Sequence, residues 1–216
     1  MTVDTSNGTT RRNPEETRRR ILEAATAEFA RVGFEGGRID RIARGARANQ
    51  RMIYHYFGDK AGLYIAVLEQ ALGELRAEEL RLDVDAGSPR EGVLQLFDFI
   101  SAHFEGHPEL VKLLSGENLL EAAHLKRSDD TPVISSPILA LVEDLLRRGA
   151  QDSSVRADID PLHLYVAMVG LSYFHLSNAW TLSVIFKQDL QTTGWRSAHR
   201  RMARAMLSEY LEPPKH

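Results

Sequence analysis

Apolar residues recur at helical spacing along nearly the whole chain. Ile21, Leu22, Ala25, Phe29 and Val32 fall on one stripe behind Asn13-Pro14-Glu15-Glu16. That opening combines a capping side chain, a proline at the first helical position and acidic residues in the first turn. The pattern predicts a helix from Pro14 to about Val32, stopped by Gly33, with a turn at Gly36-Gly37. Ile39, Ile42, Ala43 and Ala46 then mark a short second helix. Asn49 caps a third, with Ile53 and Phe57 four apart on its inner face, and Gly58 stops it. Asp59 caps a fourth helix running toward residue 81.

The same period continues beyond Gly87. Ser88-Pro89-Arg90-Glu91 reads as a capping box opening a helix that ends near His107-Pro108. Another runs from Pro108 to about His124, and a polar break spans Lys126 to Thr131. The next helix covers about Pro137 to Ala150. Asp160-Pro161 opens a very apolar helix through Leu182, and a last helix covers about Trp195 to Leu211. Trp195, Ala198, Met202, Ala205, Met206 and Tyr210 form its stripe. No strand-like alternation of useful length and no fixed repeat interrupts this series. The expectation is an all-α chain of about nine helices. Residues 1–12, polar and small, read as a disordered tail.

Composition removes some function classes. The chain has no cysteine, so disulfide and thiolate chemistry are absent, which fits a reducing cytoplasm. The N-terminal segment has no apolar signal region. His163, His175, Ser177 and Asn178 interrupt the apolar run from Leu162 to Leu182. That run reads as a buried or interface helix, with no membrane as partner. Charge is uneven: residues 1–60 hold 12 Lys and Arg against 8 Asp and Glu, whereas residues 61–216 hold 15 against 22. A basic head on an acidic body suits a polyanion at one end.

The predicted second and third helices, joined by a short turn and held on the first, make a helix-turn-helix. In that arrangement the last helix enters the DNA major groove with its N-terminal residues toward base edges. Asn49, Gln50, Arg51 and Met52 lie at that start. Arg pairs bidentately with guanine and Gln with adenine. Tyr54 and Tyr56 point outward on the period, where a phenol reaches phosphate, and Lys60 meets phosphate by charge. Aromatic and basic residues interleave in NQRMIYHYFGDKAGLY because the segment serves a small core and a phosphate-facing surface together.

Residues 17–68 resemble the DNA-binding domain of the TetR family of transcriptional regulators. The likeness rests on RRRILEAATAEFARVGFEGGRIDRIA and ANQRMIYHYFGDKAGLYIAVL. The family signature, approximately L-Y-x-Y-F-x-x-K-x-x-L, stands here as Ile53-Tyr54-His55-Tyr56-Phe57-Gly58-Asp59-Lys60-Ala61-Gly62-Leu63. Three departures carry physical consequences. The family's turn usually holds glycine, but this chain has Ala46-Arg47-Ala48-Asn49, so a positive φ there would strain Arg47. The second helix usually begins with Thr or Ser, and here Gly37-Arg38 leaves Arg38 as the substitute phosphate contact. Arg51 replaces a common small residue, so the operator should differ from those of many relatives.

The resemblance implies an N-terminal three-helix helix-turn-helix DNA-binding domain at 13–58 and a larger helical domain for ligand binding and dimerisation at 59–216. The expected partners are a double-stranded DNA operator, a small-molecule effector and a second copy bound through the last two helices. The segment DPLHLYVAMVGLSYFHLSNAWTLSVIF is also similar to C-terminal domains of a subgroup that includes pyrimidine-responsive regulators. Polar residues in apolar helices, His103, Glu117 and Asn118, are candidates for effector contact. Tyr173 is a further candidate that also reads as plain core, with Leu96, Phe99, Leu113 and Leu114. His103 and His107 have chelating spacing, but HFEGH is not the HExxH zinc motif, and no metal or other cofactor is expected. No nucleophile elbow or phosphate loop points to catalysis, so no catalytic residue is assigned. A helical enzyme or adaptor that no longer binds DNA is the competing reading.

Overall fold

The computed structural model describes residues 13–214. The described residues form ten α-helices and no strand: α1 (Pro14–Gly36), α2 (Ile39–Gly45), α3 (Gln50–Phe57), α4 (Lys60–Glu79), α5 (Pro89–Gly106), α6 (Pro108–Leu119), α7 (Asp130–Gln151), α8 (Pro161–Ser177), α9 (Ala179–Phe186) and α10 (Thr193–Leu211). A short 3₁₀ turn covers Leu125–Arg127. The expected tail at 1–12 lies outside the described residues. The chain divides into two compact units, Met1–Val67 and Leu68–His216.

Capping chemistry read from the sequence sets most helix starts in the first unit. Asn13 accepts from the Glu15 backbone N–H at 3.2 Å, and Asn49 Oδ1 accepts from Arg51 N–H at 2.9 Å. Gly33, at φ 71°, breaks α1 where the sequence expected its end, but three more residues resume helical geometry. Gly58 ends α3 at φ 76°. Ile21, Ala25, Phe29, Ile42, Ile53 and Leu63 fill the core. Tyr64 lies inside as well, its ring edge-on to Phe29 with centroids 5.0 Å apart. Gly62 is required by close approach: a Cβ there would sit 2.1 Å from the Phe57 carbonyl oxygen.

In the second unit α5 is the central element, burying Val93, Leu96, Phe97, Ile100 and Phe104. Polar contacts fix its neighbours. Ser101 and Ser172 hydroxyls meet at 2.8 Å within the core. Arg204 on α10 reaches Asp98 at 2.9 Å and Glu91 at 2.8 Å. Glu79, fully buried, pairs with Arg76 and accepts from the Tyr165 hydroxyl at 3.0 Å. Burial pushes the Glu79 carboxyl up from its ordinary range, and the Arg76 charge opposes that shift.

Three boundaries differ from the sequence expectation. The helix from Pro108 ends at Leu119, not near His124, because Glu121 and Ala122 take positive φ of 54° and 58°. The helix expected from Pro137 begins at Asp130. Pro137 instead lies inside α7, which lacks one helical hydrogen bond there. The apolar helix expected through Leu182 divides at Asn178, at φ −108° and ψ 8°. Asn178 donates its side-chain amide to the Phe174 carbonyl at 3.0 Å, the local competition that favours a break.

Candidate nucleic-acid interface

Backbone bonds close the end of α2 before the turn into α3. Ala48 N–H donates to the Ala43 carbonyl at 2.9 Å and Arg47 N–H to the Arg44 carbonyl at 3.1 Å. This pair of bonds is a Schellman motif, which places its left-handed residue at position 47. Arg47 has φ 50°, so the non-glycine turn residue adopts the strained conformation the sequence raised. Its side chain is exposed.

Opposite the turn, Glu28 anchors the start of α2. This buried carboxylate accepts from Arg31 at 2.6 Å and from the Arg38 backbone N–H at 3.4 Å, and lies 3.5 Å from Arg41. The Arg31 hydrogen bond chiefly holds the Glu28 carboxyl below its ordinary range. Arg38 has no side-chain cap of its own, and its guanidinium is exposed.

On α3 the cap leaves Gln50 and Arg51 exposed in the first turn, with Met52 half-buried. Ile53 fixes the inner face at 0 % exposure, and Tyr54 stands outward at 48 %. Tyr56 is half-buried, its ring 5.4 Å from that of His55. Asn49 is exposed, but its oxygen is occupied by the cap, leaving the amide N–H groups for a ligand. Lys60 donates to the Glu35 carbonyl at 3.1 Å and lies 4.7 Å above the Phe34 ring. A lysine ammonium has three donors, so two remain for phosphate. His55, exposed one turn beyond Arg51, belongs to the same face and was not among the expected contacts. Its i, i+4 spacing from Arg51 was the available signal.

The effector candidates do not gather into one site. His103 is buried, its Nδ1 3.1 Å from Glu78 Oε2 and its ring stacked on His107 at 4.0 Å. Burial, then the neighbouring His107 charge, holds its pKa below the usual value. Glu117, 2 % exposed, accepts from the backbone N–H groups of His124 at 2.7 Å and Leu125 at 2.9 Å, and faces His124 Nδ1 at 3.0 Å. Its carboxylate is thus spent on organising the chain after α6. Asn118 is exposed. The Tyr173 hydroxyl lies 2.7 Å from Ser115 Oγ, and Ser115 lines a cavity of about 460 Å³ that also admits Lys112 and Arg196. Among the described residues, no three His, Asp or Glu side chains form a group able to hold a metal ion, and no helix is long and apolar enough to cross a membrane.

The second unit also carries an unpartnered apolar surface. Leu162, Val166 and Phe174 are exposed on α8, and Met202, Met206 and Tyr210 on α10. The α10 stripe expected from the sequence faces outward, while Ala203, Leu207 and Leu211 face the core. His175, 5 % exposed, packs against His199 and Trp195.

Comparison with known proteins covers both units. A family model described as "Bacterial regulatory proteins, tetR family" matches residues 21–67. One described as "Tetracyclin repressor-like, C-terminal domain" matches residues 89–207. The HTH-type transcriptional repressor NicS of Pseudomonas putida is 36% identical over 176 residues, covering 82% of this chain and 83% of that protein. The HTH-type transcriptional repressor SCO4008 of Streptomyces coelicolor is 39% identical over 158 residues, covering 73% and 78%. Among solved structures, the putative transcriptional regulator SCO4942 of Streptomyces coelicolor aligns with a TM-score of 0.68 at 24% identity, covering 92% of this chain and 99% of that one. That likeness shows a shared fold.

Proposed function

Because the chain belongs to the TetR family of bacterial transcription regulators, we propose that it is a cytoplasmic repressor that binds a near-palindromic operator as a homodimer and is released by a small molecule held in its C-terminal unit. The observation that carries this reading is the first turn of α3. Asn49 caps it, Ile53 fixes its inner face, and Gln50, Arg51, Tyr54 and His55 remain exposed together. Arg51 and Gln50 read base edges in this account. Tyr54, Tyr56, Lys60, Arg38 and Arg47 hold phosphates, and Asn49 and Met52 set the helix entry.

Dimerisation follows from the second unit's exposed rows. Residues 162, 166 and 174 on α8 and 202, 206 and 210 on α10 keep multiples of four, the spacing of a single ridge. A second copy packed on these rows makes a two-fold bundle and supplies two recognition helices for two half-sites. Repression fits the relatives NicS and SCO4008, both transcriptional repressors. The test is a mobility shift with duplexes flanking the chromosomal gene, at two salt concentrations. A steep loss of affinity with salt and twice the chain mass in sedimentation are expected. Salt-independent retention, or a monomer at micromolar concentration, would remove the reading.

A further inference from the structure

The proposed effector role leaves the chemistry of the effector open, and one cavity in the second unit narrows it. Its volume of about 460 Å³ lies within the range of about 300–1,000 Å³ common to small-molecule sites. Phe104, Val111, Leu176 and Trp180 give it apolar walls. Two cations reach it, Lys112 on α6 and Arg196 in the first turn of α10. Arg196 Nε is buried and has no hydrogen-bond partner. Among the described residues, neither guanidinium nor ammonium has an ion pair, in contrast to Arg204 and Arg148, which hold two carboxylates each. Glu105 also lines the cavity; its Oε2 lies 3.9 Å from Arg200 and its Oε1 is buried without a hydrogen-bond partner, so the cavity sets two cations against one carboxylate.

Four other arginines have a buried Nε without a partner, but each of those guanidinium groups hydrogen-bonds through another nitrogen, Arg20 to Thr17, Arg76 to Glu79, Arg90 to Ser208 and Arg148 to Asp85. The Arg196 guanidinium makes no such bond among the described residues and calls for an acceptor from elsewhere. We infer that this cavity binds a small organic carboxylate with an apolar body. The planar fork of Arg196 matches the two carboxylate oxygens, and Lys112 adds a second positive charge. Phe104, Leu176 and Trp180 cover the apolar part. A neutral amide offers Arg196 one carbonyl acceptor and no charge, and a cation meets two like charges. As an account of regulation, this rests on the effector reading above; as a binding site, it stands on the cavity alone.

The test is calorimetric titration of the full chain with 1-naphthoate and with its neutral isostere 1-naphthamide. Naphthoate should bind saturably and at least about tenfold tighter than the amide, the discrimination expected of a charge-assisted pair. Arg196→Gln should remove that preference while leaving amide binding unchanged, and Arg196→Lys should restore part of it. Lys112→Gln should cause a smaller loss that shrinks with added salt. If Arg196→Gln fails to fold, the naphthoate-to-naphthamide ratio in the unaltered protein and the Lys112→Gln loss decide. Equal affinity for both probes, no saturable naphthoate binding, or full naphthoate affinity in Arg196→Gln would overturn the site. A mobility shift separates the two readings. Arg196-dependent binding with operator retention unchanged keeps the carboxylate site and removes its regulatory role. Operator release by another compound, undiminished in Arg196→Gln, keeps the effector reading and counts against this cavity as its site.

Discussion

Replacing Arg47 with glycine should stabilise the first unit and weaken DNA binding at the same time. Arg47 stands at φ 50° because the two backbone bonds closing α2 require a left-handed residue there. An L-residue in that conformation costs about 1–2 kcal/mol. Glycine removes that strain but costs about 0.5–1 kcal/mol more in chain entropy. The net gain is therefore about 0–1.5 kcal/mol for Arg47→Gly, with a midpoint of about 0.8 kcal/mol. Arg47→Ala keeps the strain and removes only the charge, so its stability should match the parent. Both variants should lose the same operator affinity, since both remove the exposed guanidinium. Amide hydrogen exchange at α2 and α3, together with urea unfolding, reads the stability arm, and fluorescence anisotropy on an operator duplex reads the other. Equal stability of the glycine and alanine variants would refute the strain argument. Unchanged DNA binding in both would refute the phosphate contact.

Four further outcomes follow. Arg51→Ala should cost about 1–3 kcal/mol on the operator and relax preference at one base pair, whereas Lys60→Ala should weaken all sequences alike and flatten the salt slope; competition binding against single-base operator variants distinguishes them. Gly62→Ala should destabilise by about 1–3 kcal/mol, because a Cβ 2.1 Å from the Phe57 carbonyl forces the two helices apart, and an unchanged denaturation midpoint would contradict this. Val166→Glu or Met206→Glu should place a charge in the dimer bundle and shift sedimentation to the monomer mass. His175, whose pKa burial and the neighbouring His199 depress to about 4, binds its proton more readily in the unfolded chain. Its contribution to stability is therefore full above about pH 6.5 and is lost as pH falls toward 4, on the order of 3 kcal/mol in all. His175→Leu should flatten the acid limb of the melting curve over that window.

Local chemistry made the first unit readable. Asn13, Asn49 and Asp59 cap the helices their positions announced, and each capping contact involves residues two or three apart. The left-handed Arg47 was raised by the family resemblance, whose turn usually holds glycine, and the bonds that enforce it close within a span of six residues. What the sequence could not show depends on distant partners. Glu117 reads as a polar residue on an apolar helix until the chain after α6 folds back and spends its carboxylate on two backbone N–H groups. Arg196 reads as one more surface arginine until five helices close around it. Asn178 and Pro137 misplaced helix boundaries because each signal has two outcomes, and tertiary packing chooses between them. The outward stripe of α10 was seen as apolar, but only the inward set at 203, 207 and 211 reveals that the helix has two apolar faces, one buried and one exposed.

Selection from a pool of random duplexes tests the central claim, that the exposed first turn of α3 reads DNA. The parent protein should enrich a near-palindromic sequence with half-sites about one helical turn apart, or somewhat more, bound with steep salt dependence. Arg51→Ala, selected in parallel, should enrich the same site with one position per half-site relaxed. No enriched sequence from the parent, or an identical sequence preference in Arg51→Ala, would contradict the account.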